Sequence, residues 1–250
     1  MMRYCFQGGV PMTFTDHPRL LARLAGVNYL IVILCALFAY RYVRGEVFVA
    51  GDIAQTAANF RAHEQLYRLG IAAAVIVVLC NLPMGFILCE LLKTVNPRLA
   101  KLALLFVTVA AAIEAVNIHN YIEPLFIFTL PDYAGAFDEA QRQALARGPM
   151  KMFGYGFSVS LTFFGVYCVL IGFLMVRSKF FPPIIGVLAI VTGVIHAINS
   201  FQQFLALPIP YIPWVTLATE ASLALWLLLI GVDEEKWRAQ VQRLRGQTVA

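Results

Sequence analysis

Apolar runs of about 20 residues alternate along this chain with shorter polar breaks. Six runs stand out: about Leu24–Val43, Leu69–Leu92, Leu102–Phe126, Phe153–Val176, Ile184–Leu205 and Trp214–Val232. Each is close to the ~20 residues that a helix needs to cross a ~30 Å hydrocarbon core. Lipid offers the backbone no hydrogen-bond partner, so such runs fold as helices that satisfy their own N–H and C=O groups. The pattern predicts an all-α fold, a polytopic transmembrane helical bundle of about six spans. An N-terminal extension (1–18) precedes a single transmembrane domain (19–232), and an amphipathic tail (233–250) follows it.

The breaks on the two sides differ. Lys93–Lys101, with Pro97, and Arg177–Pro183, with Pro182 and Pro183, are short turns. The breaks on the other side are longer and carry helix-start signals. Asp52 and Gln55 have the spacing of a capping box, and Asp138 and Gln141 repeat it. Glu64 and Arg68 are four apart and can pair across one turn. Gly148 then Pro149 read as a helix stop. Two short helices are therefore expected over the outer face, in Gly51–Leu69 and Ala136–Pro149. In the tail, Trp237, Val241 and Leu244 fall on one helical face. Asp233, Glu234 and Glu235 open that helix and Arg243 and Arg245 close it, which suits its dipole. An interfacial helix against anionic lipid is the expectation.

Composition agrees with this class. The chain is 60% hydrophobic and 13% charged, where a soluble domain carries about a quarter charged residues. The net charge of +5 is no nucleic-acid signal, because the basic residues sit at span ends. Twelve Lys and Arg lie on the side of both termini and seven on the other, which predicts cytoplasmic termini. Of Cys5, Cys35, Cys80, Cys89 and Cys168, four lie in apolar runs and none forms a C-x-x-C pair. They read as small buried hydrophobes, with no disulfide and no cysteine metal site. Residues 1–15 lack a signal-peptide h-region. Residues 1–11 look like an unstructured extension, and Met12 is an alternative start.

The candidate chemistry lies inside the spans. Ionisable and amide side chains are expensive at bilayer depth and mark functional positions. Two stripes stand out: Glu114-x-x-Asn117-x-x-Asn120 and His196-x-x-Asn199-x-x-Gln202. At ~100° per residue, Glu114, Asn117 and Tyr121 share a face with Asn120 at its edge. His196, Asn199 and Gln203 do the same with Gln202 at the edge, while His119 points away from Glu114. Counting back from Pro124 and Pro208, Glu114 and His196 sit about 15–18 Å inside the outer end. A Glu114–His196 pair sharing a proton is the expectation, with the amides completing a ligand site. Tyr155, Ser158 and Thr162 share a face on the fourth span, and Thr216 and Glu220 are one turn apart on the sixth. Asn81, Pro83 and Gly85 interrupt the second.

Protease-type H-E-x-x-H, G-x-S-x-G and phosphate-loop motifs are absent, so no cofactor and no metal are expected. His119 with Glu123 lacks a third metal ligand. Gly186 and Gly193, one heptad apart, allow close helix approach within or between chains. Gly85–Asn117 and Gly165–Asn199 share one outline of helix, basic Pro-containing turn, helix and polar stripe, as parallel transporter repeats do.

The runs Arg23-Leu-Ala-Gly-Val-Asn-Tyr-Leu30, Gly51-Asp-Ile-Ala-Gln-Thr-Ala-Ala-Asn-Phe60, Leu66-Tyr-Arg-Leu-Gly70 and Arg177-Ser-Lys-Phe-Phe-Pro-Pro-Ile-Ile-Gly186 carry a resemblance. The chain resembles a family of bacterial six-helix integral membrane proteins of unknown function, from about Arg19 to Ile230. The resemblance implies the bacterial plasma (inner) membrane and supplies no reaction. It draws attention to Asp52, Thr56, Asn59, Glu64 and Arg68 as an outer-face lid over the polar cavity.

Three readings of function follow. The first is binding or transport of a small polar or amphiphilic ligand in an outward-facing cavity. The second is a membrane-embedded enzyme acting on a lipid or isoprenoid, with Glu114 or His196 as general base. The third is a structural or accessory subunit whose stripes lock helices. Membrane lipids and an unidentified small ligand are the expected partners; no nucleic acid is, and a protein partner is not readable.

Overall fold

The computed structural model describes residues 17–208 and 213–248, with side chains described to residue 243. The expected extension at residues 1–16 and the Leu244 and Arg245 side chains lie outside that range. The first span is one rod, Pro18–Val47: α1 (Pro18–Ala36), a π-helical segment (Leu37–Val43) and α2 (Arg44–Val47). Then come α3 (Ile53–Ala62), α4 (Glu64–Leu92), α5 (Pro97–Thr129), α6 (Pro131–Ala136) and α7 (Glu139–Arg177). The chain ends with α8 (Pro183–Phe204), α9 (Pro213–Leu229) and α10 (Glu234–Thr248). No strand occurs among the described residues. Five of these helices are long and apolar enough to cross a membrane, and α9 followed by α10 makes a sixth candidate, bent by 90°.

The helices overrun the apolar windows because their caps stand in the polar breaks. Asn96 Oδ1 accepts from Arg98 N and Leu99 N at 3.0 and 3.1 Å, starting α5. Asp138 forms a complete capping box with Gln141 at the start of α7, satisfying two otherwise orphaned donors. The stop expected at Gly148 and Pro149 does not occur: α7 runs 39 residues without a break. Pro149 removes one hydrogen bond, but tertiary contacts hold both sides of it in line. Ala146 is buried, Phe153 is buried, and Glu139 pairs with Arg142 and, from α3, with Arg61 at 2.6 and 2.7 Å. The second short helix is therefore Pro131–Ala136, just before the expected segment.

Each long helix packs on its neighbour in chain order, and α9 returns to α1. The six helices thus close a ring. Its loop face carries α3 and α6. Its tail face carries the turns after α4 and α7, and α10. Both hairpins singled out as repeats, α4–α5 and α7–α8, turn at the tail face. Glycine knits the second one. Gly165 lies against Gly193, and Gly172 against Gly186: a Cβ on Gly165 would come within 2.7 Å of the Gly193 carbonyl, and one on Gly186 within 2.6 Å of the Gly172 carbonyl. The Gly186/Gly193 pair therefore serves an approach within the chain.

Gly231, at φ +76°, turns the chain after α9. Asp233 then caps α10 through Lys236 N, and its hydrogen bonds with Lys236 hold its carboxyl below the usual aspartate range. The tail is helical, as its pattern predicts, but it turns Trp237 toward the bundle. Trp237 is buried, and its Nε1 donates to Leu91 O at 3.2 Å; Gln240 Nε2 donates to Thr94 O at 3.1 Å. These bonds satisfy carbonyls at and beyond the end of α4, which have no partner within the helix. We expect Trp237→Ala to release α10, so that trypsin cuts at Lys236 and Arg238 at least about tenfold faster as the local opening equilibrium shifts. Unchanged cleavage kinetics would mean that the packing contributes nothing.

Candidate functional site

A cavity of about 360 Å³ lies inside the ring, and all six long helices line it. Its wall is mainly apolar and aromatic, with a few polar groups at mid-membrane depth. Along the first span the lining runs from Tyr29 to Arg41.

Glu114 sits at the middle of α5 and is 5% exposed. Tyr40 Oη donates to its Oε1 at 2.7 Å. Its Oε2 is buried and has no partner at hydrogen-bond distance, although the Asn117 amide, which donates to Phe153 O at 3.1 Å, lies beside the carboxyl. Tyr40 reaches Glu114 from the π-helical segment. A π turn widens the helix and shifts its hydrogen-bond ladder by one residue, a geometry frequent at functional sites. Tyr121 Oη donates to Ala39 O in the same segment at 2.8 Å. The Tyr40 ring is held by Tyr121, Phe153 and Phe157, with centroids 5.2–6.0 Å away.

On the opposite wall, His196 Nε2 and Glu220 Oε1 are 2.8 Å apart, and Phe164 lies edge-on to the imidazole. The expected Glu114–His196 pair is not formed: the π-helical segment brings Tyr40 to Glu114 from the first span, and Glu220 reaches His196 from α9, which packs on α8. Asn81 on α4 also lines the cavity, and its Oδ1 is a second buried acceptor without a donor. Two hydroxyls of the wall are committed: Ser160 donates to Ala110 O and Thr216 to Pro213 O.

Of the sequence candidates, Glu114, His196, Glu220, Asn81 and Thr216 line this space. The others do not. Asn120 Nδ2 donates to Asn117 Oδ1 at 3.2 Å. Gly156 of α7 leaves the room that Asn117 occupies, since a Cβ there would overlap the amide. Ser158 donates to Gln203, joining α7 to α8. Tyr121 is fully buried in an aromatic cluster with Tyr67 and Phe153. Tyr155 is 44% exposed on the outside of the ring. Asn199 and Gln202 are half-buried on α8, outside the lining. His119 is exposed, with Nδ1 3.0 Å from Val116 O. Among the described residues, no group of three or more His, Cys, Asp and Glu is placed to hold a metal ion.

Sequence reasoning missed Tyr40, Arg41, Tyr29 and Ser160. A tyrosine near the end of an apolar run reads as an interfacial belt residue, and the π register that turns Tyr40 inward leaves no trace in the pattern.

The residues expected to form a lid fasten α3 to the end of the first span, on the loop face. Asp52 Oδ1 accepts from Gln55 N at 2.8 Å and caps α3, although Gln55 turns its side chain to Asn59. Thr56 Oγ1 accepts from Val49 N, and Asn59 Nδ2 donates to Glu46 O and Val47 O. Glu64 and Arg68 form the expected i,i+4 pair at 2.8 Å, in the open. None of the five lines the cavity. Asp52→Ala is expected to destabilise the protein by about 0.5–2 kcal/mol, the range for a lost cap. Arg68→Ala should shift stability by less than about 1 kcal/mol, as exposed pairs do. Thermal unfolding in detergent measures both, and an equal effect of the two would contradict the assignment.

Comparisons with curated proteins and with solved structures return no match. The chain does match one family model over residues 24–231, all but the first turns of the six-helix ring, and so belongs to the family described as a domain of unknown function (DUF4386).

Proposed function

We propose that this protein binds or transports a small amphiphilic ligand through its central cavity. In this reading it sits in the bacterial plasma membrane with both termini in the cytoplasm, so that the loop face is outward and the surrounding lipids are its other partners. One observation carries the proposal: Glu114 is buried at mid-membrane depth with Oε2 unbonded, beside a cavity. Leaving a buried acceptor without a donor costs about 1–3 kcal/mol, more for a charged group. A ligand in the cavity that supplies the missing donor removes that cost. The wall supports this reading, since an apolar lining with a few converging polar groups is what small-molecule sites offer. Asn117 and Gln203 bond between helices, to Phe153 O and Ser158 of α7, and contribute to packing.

Native mass spectrometry in mild detergent tests the proposal, with wild type beside the Glu114→Gln/His196→Ala double variant. A bound species carried by wild type and lost by the variant is the expected result. An adduct retained equally by both, or none in either, would overturn it.

A further inference from the structure

Resting on that reading of the cavity, we infer that its ligand is an organic ammonium ion on an apolar body. Both buried polar atoms of the wall that lack a partner are acceptors. Glu114 Oε2 and Asn81 Oδ1 are buried, line the same cavity from adjacent helices, and lack donors. A second carboxylate, Glu220, faces the space from α9. The hydroxyls of Tyr40, Ser160 and Thr216 already donate to protein acceptors. A ligand that brings further acceptors would leave Glu114 and Asn81 unpaired, and a carboxylate or phosphate would face two carboxylates. A primary ammonium brings three donors and one positive charge, enough to bond both orphaned oxygens together.

The rest of the wall fits the same ion. Tyr29, Tyr40, Phe157 and Phe164 line the space, and aromatic faces attract a desolvated cation. Val77, Val107 and Leu161 receive an apolar body. Charge-assisted hydrogen bonds are roughly twice as strong as neutral ones, and the attraction to a carboxylate rises as water is excluded. Arg41 is the cation among the lining residues with a fixed positive charge. It stands at the loop-face end, its guanidinium 5.8 Å from the Trp214 ring centroid. His196, the other basic group on the wall, is engaged by Glu220.

Isothermal titration of the full chain in uncharged dodecyl maltoside, with three probes of one size, tests this class. The probes are 2-phenylethylammonium, 2-phenylethanol and phenylacetate. We expect the ammonium to bind at least about tenfold more tightly than the alcohol, a difference of about 1.4 kcal/mol, and phenylacetate to bind more weakly than either. Glu114→Gln should weaken the ammonium about tenfold or more and leave the alcohol nearly unchanged. Asn81→Leu removes the second acceptor and keeps the carboxylate, so it reads the same preference should Glu114→Gln fail to fold. Alcohol or phenylacetate binding as tightly as the ammonium would overturn the ammonium class and leave the cavity reading standing. Binding of none of the three would overturn both.

Discussion

Gly193→Leu is expected to prevent α7 and α8 from packing and to remove about 3 kcal/mol or more of stability, at or beyond the upper end for overpacked cores. The obstacle at this position is main chain. A Cβ would press on the carbonyl of Gly165 and come within 3.0 Å of Val169 N. A rotamer change cannot relieve such contacts, so α7 and α8 would have to separate. Close backbone approach at small residues is how helices associate in lipid, where burial of apolar surface offers no drive. The control is Gly148→Ala, in the same helix α7, where a Cβ meets nothing within 4 Å. There alanine should stabilise by about 0.5–1 kcal/mol, because glycine loses more backbone entropy on folding. Thermal unfolding of the three proteins in detergent, followed by tryptophan fluorescence, separates the two effects. Similar midpoints for Gly193→Leu and wild type would remove the glycine contact from the account of the fold.

Replacing Glu114 by Leu together with Tyr40 by Phe is expected to abolish binding of the phenylethylammonium probe while leaving the protein as stable as wild type, or more so. Glu114→Leu alone strands the Tyr40 hydroxyl in the interior, at a cost of about 1–3 kcal/mol. Removing both partners takes away the Glu114 oxygens and the hydroxyl at once, and the substituents are apolar in an apolar wall. Exchange of a buried polar pair for apolar groups of similar shape is nearly neutral or stabilising. Function and stability then move in opposite directions, the behaviour of a site retained against a structural cost. Titration with the ammonium probe and thermal unfolding read the two quantities separately. A double variant that loses several kcal/mol of stability would make the Glu114–Tyr40 bond a lock between helices, and unaltered binding would place the ligand elsewhere.

Much of this architecture is local physics. Asn96 and Asp138 cap their helices because the cap depends on residues within one turn. The Gly148–Pro149 punctuation is local too, yet it was overridden. A single lost hydrogen bond is small beside the buried Ala146 and Phe153 and the Glu139 ion pairs that align the helix on either side. The polar stripes divided in the same way. Glu114, His196 and Glu220 were conspicuous as ionisable groups in apolar runs, and all three reach the cavity. Asn117, Ser158 and Gln203 looked similar in sequence, but they bond across α5, α7 and α8. An amide or hydroxyl is satisfied equally by a neighbouring helix or by a ligand, and its spacing does not say which.

By itself the sequence determined the class, the spans and the membrane-depth ionisable groups, because lipid obliges each span to satisfy its own backbone and penalises charge wherever the span lies. The tertiary structure alone decided the partners. The closed ring set α9 beside α8 and turned Tyr40 of the first span into the centre, so His196 bonds Glu220 and Glu114 bonds Tyr40. The π-helical segment turned Tyr40 inward, and the glycine contacts set how closely α7 and α8 lie. Which side chains meet depends on the order and rotation of helices around the ring. Those are set by packing between residues far apart in the chain, which no local pattern records.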